Sequence, residues 1–407
     1  MSGTMEALRN YRGPSVLCYG FRPFFLAAAL WAVLAMICWL AMLTGMASLP
    51  MRFDPVTWHA HEFLFGYLAA VIAGFVLTAV PNWTGRLPVM GGRLAVLVLL
   101  WLAGRVAMAL SGALAWPVVL AVDLALVLAL VFFLAREVIR GRNWRNLPVV
   151  VLVLSYGAGN ALFHVEAHLS GIAFDDAGMR LGLASALMLI ALIGGRIIPS
   201  FTRNWLSARG ARRLPHGFQR ADIVVLALTA LTLLTFVIRP ENAVLRWIML
   251  SCGTAHLWRM SRWCGGQVLG EPLLWVLHLA YGFLALGFLA EGLAQFGLLS
   301  IPAARHVWLA GAIGMMTLAV MCRATLGHTG YPLQAGAGTA AIFLSLLVSI
   351  LLRVISGLPW VPVAALHLSA LLWIIGFAGF ALLYGPKLLR PRRGKRMPNP
   401  PAVAQGS

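Results

Sequence analysis

The sequence predicts an all-α fold, a polytopic integral membrane helix bundle of about twelve transmembrane helices with both termini cytoplasmic. Three observations carry this. The 407-residue chain is 61% hydrophobic and 11% charged, with a mean hydropathy of +0.88. So few charges do not cover the surface of a soluble domain. It divides into twelve apolar runs long enough to cross a bilayer, which takes about 20 residues. Its cations gather in alternate connections between those runs.

The runs lie at roughly 23–45, 60–82, 94–112, 115–134, 147–169, 178–199, 222–238, 243–259, 271–297, 304–326, 336–356 and 361–384. Hydrocarbon offers no partner to backbone N–H and C=O groups, so each run must be a helix. The turns at 112–115 and 239–243 are short. The first run follows Phe21-Arg22-Pro23, has no small-residue cleavage site, and reads as a retained helix rather than a signal peptide.

The net charge of +19 raises the question of nucleic acid. The distribution excludes it. With the N-terminus inside, inner segments hold 22 of the 31 Lys and Arg, among them Arg9, Arg86, Arg136, Arg140, Arg142, Arg145, Arg212, Arg213 and the tail from Lys387 to Arg396. Outer segments hold five: Arg52, Arg180, Arg239, Arg246 and Arg305. Arg105, Arg196, Arg323 and Arg353 lie within spans. This is the positive-inside pattern, and the partner it implies is the lipid bilayer. The chain divides into an N-terminal cytoplasmic segment 1–22, one transmembrane bundle 23–385, and a basic tail 386–407 rich in Pro and Arg, expected to be disordered. The five cysteines form no Cys-x-x-Cys pair and read as packing residues.

Ionisable residues inside a membrane are costly and mark function. His59-Ala60-His61-Glu62 sits where the second run begins. Counted by depth, an outer layer of imidazoles contains His59, His61, His164, His168, His306 and His367. An inner layer contains His278, His328 and His256, with His216 in the longest inner loop. Imidazole suits copper and haem iron. His164 and His168 are four apart and share a helical face. His59 and His61 are two apart, so one site takes both only if the helix is irregular there. Glu62 and Glu166 are placed to hold the second nitrogen of an imidazole. Glu291 would do the same or carry protons. Arg196 and Arg323, near His278 and His328, suit the carboxylates of haem propionates.

The plain alternatives are structural. A lone intramembrane histidine such as His256 or His367 reads as a helix–helix hydrogen-bonding residue. His168 reads equally as an interfacial residue, and Asp123 as a structural or proton-relay group. The fifteen tryptophans read as interface belts. One internal repeat is visible. Residues 61–86 align without gaps on 306–331, pairing His61 with His306 and Gly66 with Gly311. A parallel duplication would put the two histidines at equivalent depths.

Several blocks then carry a resemblance. They are Phe21-Arg22-Pro23-Phe24, the stretch from Trp58 to Gly66, that from Ala73 to Val80, Asn160 to His164, Gly194 to Pro199, Leu277 to Tyr281, and His306 with Arg323 to Gly330. In this order, over almost the whole chain, they resemble the NnrS family. Phe63 stands where Met is usual and Tyr331 where Arg is common, and neither is a proposed ligand. The resemblance implies a multi-pass protein of the bacterial cytoplasmic (inner) membrane that contains haem and copper and acts in the response to nitric oxide and in denitrification. It implies His59, His61, His164, His278, His306 and His328 as ligand candidates. His168, His216, His256 and His367 fall outside the blocks.

Joined, these readings give an outer cluster of His59, His61, His164 and His306 for copper, or for haem and copper together. An inner pair, His278 and His328, with Arg196 and Arg323, would form a second haem or redox site. Without a Cys-x-x-Cys-His motif the haem is expected to be b-type. Nitric oxide is the expected ligand, with an electron donor the sequence does not identify. Sensing, relief of metal nitrosylation and turnover all stay open. A twelve-span transporter and a haem or copper assembly factor are the alternatives.

Overall fold

Among the described residues, 10–84 and 88–393 of the computed structural model, every regular element is helical. Arg9, Arg86, Lys395 and Arg396 lie outside them, as does 394–407 of the expected tail. Twelve long helices follow in order. α1 is Phe21–Leu43. α2 runs over 55–84. α3 is Gly92–Ala109, α4 Trp116–Arg140 and α5 Leu147–Ser170. α6 runs over 177–207. α7 is Arg220–Ile238, α8 Leu245–Ser261 and α9 Pro272–Ala294. α10 runs over 301–329. α11 is Ala337–Ile355 and α12 Ala364–Leu389. Eleven are long and apolar enough to cross a membrane. The twelfth, α8, has 17 residues, at the short end of the spanning range of roughly 17–25. The last helix carries on to Leu389, past the boundary at 385 that the sequence suggested.

α2, α6 and α10 are the longest spans, and each contains a π-helical stretch. These are Glu62–Tyr67 in α2, Ile190–Gly194 in α6 and Val307–Met315 in α10. In α2 the stretch starts one residue after His61, and in α10 one residue after His306. The equivalence of these two histidines in the sequence therefore recurs in the backbone. In α6 the stretch comes later and follows no histidine.

A π turn loosens the regular hydrogen-bond ladder. Inside a membrane the carbonyls it releases need other partners. Side chains supply them. Tyr156 of α5 donates to Leu64 O and Trp101 of α3 donates to Gly66 O (2.9 Å) in α2. Arg259 of α8 donates to Ala191 O (3.0 Å) in α6. The Thr317 hydroxyl reaches Ile313 O (2.7 Å) and Gly314 O (2.9 Å) in α10.

The three π-bearing helices are the second, sixth and tenth, four spans apart. The chain thus reads as three consecutive four-helix units, α1–α4, α5–α8 and α9–α12, each sending its second helix inward. α4 packs on α5, α8 on α9, and α12 back on α1, closing the ring. The closing seam is pinned by Arg22, buried at the start of α1, which donates to Leu388 O and Arg390 O (both 2.7 Å) at the end of α12. The start of α1 and the end of α12 therefore meet at one end of the bundle. Peripheral helices turn large apolar side chains outward, Phe132 and Leu382 among them, as lipid-facing surfaces require.

α5 and α6 approach each other backbone to backbone. A Cβ on Gly159 would lie 2.6 Å from Gly182 N and 2.9 Å from Gly178 O. Backbone cannot give way as a flexible side chain can, so Gly159→Val should cost at least the roughly 1–3 kcal/mol typical of overpacking. The expected result is a lowered melting temperature in detergent. An unchanged melt would show that the two helices do not meet at this glycine.

Candidate functional site

Asp54 starts α2 by accepting from Val56 N (2.8 Å) and Thr57 N (3.1 Å), with Pro55 at the first helical position. This cap fixes the turn that carries both histidines. Two residues on an α-helix are about 200° apart around its axis, so His59 and His61 point into different surroundings. The expected single outer cluster is accordingly divided into two sites.

The first is a closed polar network. His61 and Glu62 are fully buried, and Arg105 of α3, Asp123 of α4, and Asn160 and His164 of α5 are nearly so. The two nitrogens of His61 are both engaged. Nδ1 faces Glu62 Oε1 at 3.2 Å, and Nε2 faces Asp123 Oδ2 at 3.1 Å and Asn160 Oδ1 at 3.0 Å. His164 Nε2 meets the same Asp123 oxygen at 3.1 Å, and Asn160 Nδ2 donates to it at 2.7 Å. Arg105 donates to both oxygens of Glu62 (2.6 Å each) and to Asp123 Oδ1. Trp31 of α1 donates to Glu62 Oε2 (2.8 Å). Donor atoms of His61, Asp123 and His164 all lie within 4.8 Å of one another, close enough for one metal ion to share them.

The second is a cavity of about 530 Å³ among α1, α2, α6, α7, α10, α11 and α12. That falls within the span of roughly 300–1,000 Å³ usual for small-molecule and cofactor sites. His59 and His306 stand on its wall, with Trp39, Phe63, Trp373 and Arg353. His59 stacks on Trp39, ring centroids 4.2 Å apart, and its Nδ1 is buried with no partner. His306 Nδ1 donates to Pro302 O (2.7 Å), so its proton is on Nδ1 and Nε2 keeps a free lone pair. The Arg353 guanidinium reaches Ser356 Oγ (3.4 Å) and, among the described residues, forms no ion pair with an acidic group. Arg180 and Arg305 both pair with Asp175 beside the same cavity, and Arg305 Nε lies 3.7 Å from Glu291 Oε1.

The other candidates sort plainly. Glu62 does hold a histidine. Glu166 accepts from Gly178 N (2.9 Å) at the start of α6 and touches no imidazole. Glu291 pairs with Arg305 rather than with a histidine. His278 Nε2 meets Thr202 Oγ1 (2.9 Å), and its Nδ1 is buried without a partner. His328 packs on Tyr19 and Phe21 at 5.7 and 5.4 Å. The inner pair thus stands among different neighbours. Arg323 lies over Phe201 (4.1 Å) and Arg196 over Phe218 (6.0 Å). His256 is satisfied on both nitrogens, by Thr229 and Tyr281 at 2.9 Å each, and is structural. His168 stacks on Trp116. Sequence reasoning underrated Asp123, Asn160, Arg105 and Arg353. Three of these are ionisable residues within spans, which was the available signal.

Fold and site together define a multi-pass helical membrane protein with histidines set on an internal cavity and in a buried ionic network. A family model described as NnrS protein matches residues 15–392. The chain belongs to the NnrS family. Membership fits a protein of the nitric oxide response in general. No curated protein matches the chain.

Removing one member of a buried ion pair leaves the other charge uncompensated, at about 3–5 kcal/mol. Asp123→Ala should therefore destabilise the bundle strongly. Trp31→Phe, which removes one hydrogen bond to Glu62, should cost nearer 1.5–3 kcal/mol, the approximate range for a bond to a charged group. Thermal unfolding in detergent ranks the two, and equal melts would refute the central place given to Asp123.

Proposed function

We propose that the protein is a haem- and copper-binding redox protein of the bacterial inner membrane that acts on or senses nitric oxide. In this reading His59 of α2 and His306 of α10 would hold haem in the outer cavity. His61, Asp123 and His164 would hold copper. The observation that carries the haem assignment is the pair of imidazoles on one cavity wall, one with its tautomer set by Pro302 O and one with an orphaned buried nitrogen. His306 is thus prepared as a metal ligand normally is, by a hydrogen bond on its other nitrogen. Trp39, Phe63 and Trp373 supply flat apolar walls, and Arg353 supplies an unpaired cation suited to a propionate. Arg196 and Arg323, lying elsewhere, do not line this cavity. When bound, haem iron supplies reversible binding of nitric oxide and one-electron chemistry.

Charge counting supports a cation in the network. Arg105 contributes one positive charge, and Glu62 and Asp123 one negative charge each. With neutral imidazoles the group sums to −1. His61 faces hydrogen-bond acceptors on both nitrogens, which calls for a second proton or for a metal ion in its place. A monovalent copper ion has that charge, and imidazole is a good ligand for it. Glu62, held by Arg105 and Trp31, fixes the His61 ring and keeps Nε2 directed at Asp123. The cation excess on one side of the predicted spans supports placing both chain ends in the cytoplasm.

The test is cofactor content and a redox difference spectrum of purified variants. His59→Ala and His306→Ala should lose the haem spectrum and keep copper. His164→Ala should lose copper and keep haem. Retention of haem by both cavity variants would refute the haem site. Copper(I) added to metal-free protein should release a proton as it takes the place on His61, read by a pH indicator in weakly buffered solution. Uptake without proton release would refute the exchange.

A further inference from the structure

We propose that the centre of the bundle is a binding site for a small apolar gas molecule, and that it supplies the outer cavity. α2, α6 and α10 line a second, partly open chamber of about 90 Å³, apart from the histidine sites. Fifteen residues line it, and fourteen have no polar side chain, Val71, Phe75, Ile193 and Met316 among them. The exception is Thr317, whose hydroxyl is already spent. It donates to the carbonyls of its own helix and lies 2.6 Å from Tyr67 Oη.

This lining decides what enters. A buried water needs about 2–4 polar partners to stay, whereas apolar cavities remain dry and take up xenon or benzene. Ions and polar solutes would lose their hydration with nothing in return. The space exceeds the roughly 10–15 Å³ that one water-sized probe needs, so a small molecule has room. A diatomic or noble gas suits both that space and its apolar lining.

The chamber also has a neighbour. Ile313 lines both the chamber and the outer cavity. Tyr67 lines the outer cavity where Thr317 lines the chamber, so their hydrogen bond forms part of the partition between them. A gas held at the centre is therefore one side-chain layer from the cavity that His59 and His306 line. The supply role rests on the haem assignment made above, but the gas site does not.

The experiment is diffraction from crystals pressurised with xenon, on the full chain. Wild type should show a xenon peak between Val71, Ile193 and Met316. Val71→Phe, whose ring fills the chamber, should lose the peak. Val71→Ala, which enlarges the chamber, should keep it and guards against a folding defect. Absence of the peak in both wild type and Val71→Ala, or ordered water or elongated acyl-chain density in the chamber, would overturn the site. Stopped-flow mixing of nitric oxide with the reduced haem protein tests supply. Val71→Phe should slow association severalfold, and an unchanged rate with the xenon peak lost would overturn the supply role. If the protein binds no haem the xenon result still stands, so the two readings fail separately.

Discussion

Lipid offers no hydrogen-bond partner, and this one fact governs where everything polar in the chain can go. Twelve ordinary helices would satisfy their own backbones and leave little reason for polar side chains in the interior. Three of them do not. The π turns of α2, α6 and α10 release carbonyls in the middle of the bundle, and Tyr156, Trp101, Arg259 and Thr317 are buried to meet them. Tyr156, Trp101 and Arg259 lock neighbouring helices onto α2 and α6, while Thr317 bonds within α10 itself. Arg259, drawn in by Ala191 O, also takes Asp222 (2.8 Å) and Tyr281 (2.8 Å) and so joins α6, α7, α8 and α9. Arg105 does the corresponding work among α2, α3 and α4.

Regular helix geometry, just before the π turn of α2, separates two chemistries that the sequence places side by side. His59 and His61 are adjacent but for one alanine, yet one looks into a cavity walled by aromatic rings and the other into a network of carboxylates. A cavity that keeps a lone pair free suits a large planar cofactor. A network that demands one more positive charge suits a small cation. Neighbouring positions on one helical turn thus serve both sides of the proposed redox protein.

The spans were legible because hydropathy is a sum over some twenty residues and tolerates local error. Even the short α8 was placed near its true limits, 243–259 against Leu245–Ser261. The ligand candidates were legible as residue types, since an imidazole or carboxylate in a span is conspicuous. What they touch was not. A π turn leaves no periodic mark in an all-apolar stretch such as Val307–Met315, and near-uniform apolarity likewise hid which way each histidine faces. Asp123 was visible but without its partners, because Arg105, His61 and His164 come from three other helices. Arg353 was read only as a span cation, whereas Arg196 and Arg323 were chosen for lying at the same inner depth as His278 and His328. Depth along the helix was readable, and the azimuth around it was not.

The seam between the first and last helices bears on how the protein is made. Arg22 finds its acceptors at Leu388 and Arg390, some 366 and 368 residues further along. Synthesis begins at the N-terminus, so α1 enters the membrane with a buried-to-be guanidinium whose partners do not yet exist. It must wait at the interface, or in the care of the insertion machinery, until almost the whole chain has emerged. Assembly of this bundle therefore cannot be completed helix by helix. The ring closes only when Leu388 and Arg390 are in place, and a chain that stops before them leaves its first helix unsealed.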